Sequence, residues 1–153
     1  MKDANVDGRY AEILFTAECT RRGMCVLRPE LSHLPFDLVI YVNGKFLRVQ
    51  VKTTGYLHKK KDRNPVYRIK TVTRKGIHYR ETCDFIVIYV PPMSAWFILP
   101  MSKITGNHVK IAKNPEGRMA ECRDRWDYLG YIAPEPVSVK NPLTGQLDFF
   151  SAP

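Results

Sequence analysis

An acid, an amide and an amine lie close together in the segment PFDLVIYVNGKFLRVQVKT, which spans residues 35–53. The segment predicts two strands joined by an Asn-Gly turn, a dipeptide that strongly favours a two-residue β-hairpin. Because the strands of a hairpin run antiparallel, the beginning of the first lies beside the end of the second. Asp37 should therefore lie near Gln50 and Lys52, at the end of the sheet distant from the turn. The simplest structural explanation is a salt bridge between Asp37 and Lys52.

Side chains alternate along the second strand, so two sets of residues face opposite sides of the sheet. Val49 and Val51 should face the core, whereas Gln50 and Lys52 should lie together on the other face. A buried hairpin needs only apolar residues, so the polar pair indicates a role of its own.

These residues resemble the motif of the PD-(D/E)xK nuclease superfamily, which has the restriction-endonuclease-like fold. The motif places an acid on one strand and acid-x-lysine on the next, and it stands here as PFD ending at Asp37 and QVK ending at Lys52. Many members add a glutamate on the first helix, where this chain has Glu12. Within the superfamily, most of residues 7–100 resemble a small cyanobacterial homing endonuclease encoded by a group I intron, which also carries the glutamine.

The resemblance implies hydrolysis of phosphodiester bonds with the help of Mg²⁺, for which Mn²⁺ or Ca²⁺ are possible substitutes. Magnesium prefers carboxylate and carbonyl oxygens, activates water and stabilises charge on phosphate. By resemblance, Asp37 is the central ligand, the Val51 carbonyl is another, and Glu12 binds or orients a second ion. Lys52 would position the attacking water or stabilise the phosphate. Gln50 departs from the motif, because an amide brings no charge and cannot act as a general base.

We therefore expect a metal-dependent, site-specific endonuclease of double-stranded DNA, encoded by an intron and active in homing. A Holliday-junction resolvase or a restriction-type nuclease would use the same core on a different substrate. A third possibility is a nucleic-acid-binding protein without catalysis, in which the site is degenerate at Gln50.

Positive charge is concentrated in one segment of the chain, residues 59–80. The formal net charge is +9, and this segment holds nine basic residues against a single acid. A predicted strand over residues 66–73 places Arg68 and Lys70, and then Arg74, on one face, which suits the major groove of DNA. The expected DNA-binding residues are Lys59, Lys60, Lys61, Arg63, Arg68, Lys70, Arg74 and Lys75. The alternative is a solvated edge strand whose lysines discourage aggregation.

The remaining pattern predicts an α/β (α+β) fold, in which helices flank a mixed sheet. A first helix over residues 9–22, ended by Gly23, should bury Tyr10, Ile13, Leu14 and Ala17. Strands are expected over residues 24–29, 36–42, 46–53, 66–73, 84–90 and 95–99, with a polar loop at 55–65. A second helix is expected over residues 116–129, followed by an extended arm over 131–153.

Length and composition favour one intracellular, cytoplasmic domain over residues 1–153. No apolar run reaches the roughly 20 residues of a membrane span, and the first residues lack the apolar segment of a signal peptide. Four cysteines without zinc spacing indicate reduced thiols. Because two strands must be cut, a homodimer or a dimer of dimers on a near-palindromic target is expected. The arm could bridge subunits through Phe149 and Phe150, or be a frayed tail.

Overall fold

Two β-sheets, one of five strands and one of three, pack against each other in this protein. The computed structural model describes residues 4–31, 33–60, 63–132, 138–140 and 147–149. In chain order the elements are helix α1 (Ala4–Arg21), strands β1 (Cys25–Leu27), β2 (Leu38–Val42), β3 (Lys45–Thr53), β4 (Leu57–Lys60), β5 (Arg63–Lys70), β6 (Phe85–Val90), β7 (Ala95–Pro100) and β8 (His108–Ala112), the one-turn helix α2 (Arg118–Glu121), and strands β9 (Ser138–Lys140) and β10 (Leu147–Phe149). Short 3-10 helices lie at Tyr79–Glu81, Pro91–Met93, Met101–Lys103 and Trp126–Leu129.

The larger sheet has the strand order β1-β2-β3-β6-β7 and is mixed, as the sequence predicts. Strand β3 pairs in parallel with β6, and the other neighbours pair antiparallel. Helix α1 covers one face and the smaller sheet, β4-β5-β8, covers the other. Strand β6 therefore lies between two cores, and Ile86, Val87 and Ile88 have no exposed surface. Its nearly continuous apolar sequence is typical of a strand buried on both sides.

The predicted hairpin is present, with the predicted turn. Asn43 and Gly44 have φ values of +49° and +75°, the left-handed conformations that a type I′ turn requires. Leu38 pairs with Val49 and Val42 with Lys45. Strand β2 begins two residues later than predicted, because Phe36 and Asp37 lie outside the strand.

Helix α1 buries a face that overlaps the predicted one only at Leu14, which is partly buried against the core. Ala11, Phe15 and Cys19 have no exposed surface, whereas Tyr10 and Ile13 are 57% and 52% exposed. Both rows recur at helical spacing, so periodicity alone could not choose between them. The row that carries Phe15 is the one packed against the sheet, and the Phe15 ring lies 5.5 Å from that of Trp96. The helix also begins at Ala4, five residues before the predicted start, and ends before Gly23 as expected.

The smaller sheet differs most from the sequence prediction. The expected loop over residues 55–65 contains β4, β5 begins three residues earlier than predicted, and β8 was not predicted. Strand β8 is a five-residue segment whose alternate residues, Val109 and Ile111, are buried against the larger sheet. Such a short alternation is easily missed in the sequence because both of its flanks are polar.

The predicted helix over residues 116–129 is wrong beyond its first turn. Asp124 adopts a φ of +52° and makes two hydrogen bonds to Trp96. Its carboxylate accepts from the Trp96 N–H at 3.0 Å, and its own N–H donates to the Trp96 carbonyl at 2.7 Å. A continuous helix could not make the second bond, because the Asp124 N–H would be paired within the helix.

The C-terminal arm is described in part. Strands β9 and β10 pair antiparallel, and the rest of residues 133–153, including Phe150, lies outside the described residues. All four cysteines are described and unpaired, with Cys25 exposed and the others buried. Among the described residues, no helix is long and apolar enough to cross a membrane.

Candidate active site

The carboxylate of Asp37 takes the place of a backbone partner at the end of β3. Strand β2 begins at Leu38, so the Val51 N–H has no strand neighbour on that side. It donates instead to Asp37 Oδ2, at 2.8 Å, while the Asp37 N–H donates to the Val49 carbonyl at 2.9 Å. These bonds hold the acid at the sheet end with little freedom, as a preorganised site requires.

The Gln50 amide meets Asp37 as the hairpin register predicts. Its Nε2 donates to Asp37 Oδ2 and also lies 3.5 Å from the Val51 carbonyl oxygen. The two expected oxygen ligands, the Asp37 carboxylate and the Val51 carbonyl, therefore both lie near this amide nitrogen. Gln50 is only 5% exposed, because the smaller sheet makes a second core on its side of β3. The prediction of a single core face was wrong for this reason.

Lys52 lies on the same face of β3, two residues after Gln50. Its Nζ is 5.0 Å from the centre of the Tyr79 ring, which is itself 8% exposed. A cation over an aromatic face is attracted by about 0.5–2 kcal/mol, so Tyr79 limits where the amine can point. Tyr79 is a site residue that the sequence analysis missed, because it follows in a separate segment and meets Lys52 only through packing.

Glu12 approaches from the helix side. It lines a cleft of about 280 Å³ together with Asp37, Arg9 and Arg28. Its Oε2 accepts hydrogen bonds from Arg9, at 2.7 Å, and from Arg28, at 3.3 Å. The structure thus places both predicted acids on one cleft, with the helix acid already paired to two arginines.

The surroundings of Asp37 favour its neutral form. Burial raises the pKa of this carboxyl, and the charge of Glu12 acts in the same direction. The Val51 N–H, the Lys52 charge and the Gln50 amide oppose the shift, but the pKa remains above its ordinary value. A buried acid whose ionisation is disfavoured is typical of sites where a cation or a reaction supplies the missing stabilisation.

The donor set consists of oxygens, which suit hard cations such as Mg²⁺, Mn²⁺ or Ca²⁺. Among the described residues, no group of three or more His, Cys, Asp and Glu side chains could hold a metal ion. Magnesium is usually bound by one or two carboxylates, with water and substrate phosphate completing its shell. Asp37, Glu12 and the Val51 carbonyl match that pattern. The Gln50 amide also offers an oxygen of the kind a hard cation accepts, although it adds no charge.

A basic groove begins at Lys52 and runs along the smaller sheet. It has a volume of about 580 Å³, and its charged lining residues are Lys52, Arg68, Lys70 and Arg74, with His108 beside them. Arg68 and Lys70 are exposed on one face of β5, as predicted, while Tyr67 and Ile69 on the other face are buried. The charged face therefore reaches the same lysine that borders the acid site.

The other predicted DNA-binding residues are more scattered. Arg74 and Lys75 are exposed in the turn after β5, and Lys59 is exposed on β4. Lys61 lies outside the described residues, as do the side chains of Lys60 and Arg63. Strand β8 adds Lys110, which pairs with Arg68, and His108, which pairs with Lys70. These two residues were missed because their strand was missed.

Comparison with known proteins bears on the family and the fold of the chain. The family model described as PD-(D/E)XK endonuclease matches residues 3–128. A bacterial homing endonuclease, I-Ssp6803I, has a similar structure with a TM-score of 0.66 and 23% identity, over 84% of this chain and 92% of that one. The Holliday-junction resolvase Hjc of Archaeoglobus fulgidus, an archaeal hyperthermophile, has a TM-score of 0.54 and 14% identity, over 84% of this chain and 99% of that one. No curated protein sequence matches the chain.

Proposed function

This chain belongs to the PD-(D/E)XK endonuclease family, and from that premise we propose that it cuts double-stranded DNA at a specific site, as a homing endonuclease does. The observation that carries the proposal is the contact of Asp37 with Gln50 and Val51 beside a basic groove that starts at Lys52. A structural salt bridge would need neither the helix acid nor the adjoining groove.

Asp37, Glu12 and the Val51 carbonyl are the groups that would hold a divalent cation, Mg²⁺ in the first place. Bound there, the cation would supply a polarised water and stabilise charge on phosphate. The protein's own contribution is to fix Asp37 through the Val51 N–H and to leave it partly exposed to the cleft that Glu12 also lines. Gln50 keeps the site one charge short of the family motif, so the charge of Glu12 becomes more important for affinity.

Lys52 is proposed to act on the phosphate or on the attacking water. Its position over Tyr79 directs the amine into the basic groove, whose other lining residues would hold the strand to be cut. An ammonium group is a compact charge with three donors, which suits contact with a phosphate oxygen. We propose Lys59, Arg68, Lys70, Arg74 and Lys75 as DNA contacts, of which Arg68, Lys70 and Arg74 line the groove that reaches Lys52.

A chain of this size presents one site, whereas duplex cleavage needs two. We therefore propose a homodimer, or a dimer of dimers, on a near-palindromic target. In such an assembly each copy would cut one strand.

The test is cleavage of a randomised duplex library with Mg²⁺, followed by sequencing of the cut ends. Wild type is expected to enrich one near-palindromic site, and Asp37→Ala and Lys52→Ala should lose at least about a hundredfold in rate. Failure of wild type to cut any library member would refute the nuclease and leave a binding protein whose site is degenerate at Gln50. Faster cleavage of a four-way junction than of any linear duplex would instead favour a resolvase.

A further inference from the structure

An imidazole on β8 meets a guanidinium on β5 at the open face of the smaller sheet. The two strands pair antiparallel with Arg68 opposite Lys110 and Lys70 opposite His108. Arg68 Nη2 lies 3.3 Å from His108 Nδ1. A guanidinium can only donate, and Nδ1 accepts only when it carries no proton. The contact therefore requires a neutral His108 whose proton is on Nε2.

The charges around His108 favour that neutral form. Slight burial and then the charges of Arg68, Lys70 and Lys110 lower the pKa of the imidazole. Lys52, Arg74 and Tyr79 line the groove on one side of His108, and Glu116 and Arg118 line a cleft on its other side. Among these neighbours, cations outnumber the single carboxylate.

The bond to His108 has a consequence for Arg68. A free surface arginine samples many rotamers, and ordering it on binding costs free energy. A guanidinium tied at one nitrogen keeps a defined direction, and a directed guanidinium can read the two acceptors of a guanine edge. Lys110 has no such partner in the described residues and, as a point charge, suits phosphate.

We propose that neutral His108 positions Arg68 to read bases, so that His108 governs discrimination between DNA sequences rather than overall affinity for DNA. The inference rests on the proposed function as far as DNA is the ligand, but it does not depend on cleavage. Protonation of His108 would release Arg68 and add a charge beside the phosphates. Acid should therefore weaken discrimination while non-specific binding is kept or strengthened.

The test is equilibrium binding in EDTA, which prevents cleavage. One probe is the duplex that wild type enriches from a random library in repeated binding selection, and the other is the same duplex with its sequence scrambled. The dissociation constant of the scrambled duplex is divided by that of the selected duplex, so that a higher ratio means better discrimination. This ratio is measured from about pH 5 to pH 8, the range over which histidine usually titrates. Wild type should show a higher ratio at pH 8 than at pH 5, by about tenfold.

Two variants separate positioning from a general structural role. His108→Leu removes the acceptor and should lower the ratio about tenfold at pH 8. His108→Asn keeps an acceptor near Nδ1, so it should stay within about threefold of wild type and lose the pH dependence. Lys110→Ala is the matched control on the same strand, and it should weaken both duplexes equally and reduce the salt slope by about 0.9.

The proposal is overturned if His108→Leu keeps the wild-type ratio, if the wild-type ratio does not change with pH, or if selection enriches no duplex. A protein that discriminates in EDTA but never cuts with Mg²⁺ would overturn the nuclease proposal alone. The two failures are thus distinguishable.

Discussion

The two polar regions of this protein are built in opposite ways. At the Asp37 end of the larger sheet, a few groups contact one another closely, and Gln50 is almost fully buried. On the smaller sheet, cations lie side by side on an exposed face, and Arg68 has only His108 as a hydrogen-bonding partner in the described residues. A buried charge is tolerated only when its contacts are well defined, whereas exposed charges are cheap to keep.

The difference teaches what each region is suited to do. Close contacts between an acid, an amide and a backbone N–H fix positions to a fraction of an ångström, which chemistry at one bond requires. Unpaired cations repel one another and gain most from a partner that brings many negative charges at once. The Asp37 region is therefore suited to acting on one bond, and the basic face of the smaller sheet is suited to an extended polyanion.

The largest effect is expected from substitutions that remove charge from the exposed face of the smaller sheet and leave the Asp37 site intact. Arg68→Ala combined with Lys70→Ala should weaken DNA binding on the order of a hundredfold and reduce the salt slope by about 2. Cleavage at saturating DNA and Mg²⁺ should stay within about threefold of wild type. Arg21→Ala combined with Lys45→Ala removes the same charge from the helix side and the hairpin turn, and should change little. Equal losses in both double variants would mean that net charge alone matters.

The second prediction concerns added negative charge at the buried Asp37 site. Gln50→Glu places a second carboxylate against Asp37, and two buried like charges disfavour ionisation. The free energy of unfolding in EDTA at pH 7 should fall by about 2 kcal/mol. Added Mg²⁺ should restore it by binding the folded state. Thermal unfolding with and without Mg²⁺ measures both the loss of stability and its recovery.

Gln50→Leu is the control for that substitution, since it removes the amide without adding charge. Its stability should not respond to Mg²⁺ more than that of wild type does. A site that holds no cation would leave Gln50→Glu destabilised whether or not Mg²⁺ is present.

The smallest effect concerns the pH dependence that burial gives to Asp37. The pKa of this carboxyl is raised in the folded protein, chiefly by burial, so the folded state binds the proton more tightly than the unfolded state does. Stability is therefore lost as pH rises from the ordinary value of about 4 through the raised pKa. Asp37→Asn removes this loss and still offers an oxygen to the Val51 N–H. It should be more stable than wild type by about 1 kcal/mol at pH 7.

Urea unfolding of wild type and Asp37→Asn between pH 7 and pH 3.5 measures the difference between their free energies of unfolding. This difference should disappear as the pH approaches the lower end of the range. A variant less stable than wild type at pH 7 would show that ionised Asp37 is well accommodated, contrary to the raised pKa.

Sequence reasoning succeeded where contacts are local in the chain. The Asn-Gly turn fixed the register of the hairpin, and the register placed Asp37 at Gln50. The contact of Asp37 with the Val51 N–H was beyond it, because that bond depends on where β2 begins. The buried row of α1 was beyond it too, since the row with Tyr10 and the row with Phe15 have the same period.

What the sequence determined by itself, then, is the set of reactive groups on the hairpin, the first helix and the basic segment, because turn chemistry and alternation act over a few residues. What only the tertiary structure decided is which faces are covered and which distant side chains meet. Tyr79 reaches Lys52 through packing against the larger sheet, and His108 reaches Arg68 across a gap of 40 residues through pairing of β8 with β5 in the smaller sheet. Such contacts follow from burial of apolar surface contributed by the whole chain, which no short pattern encodes.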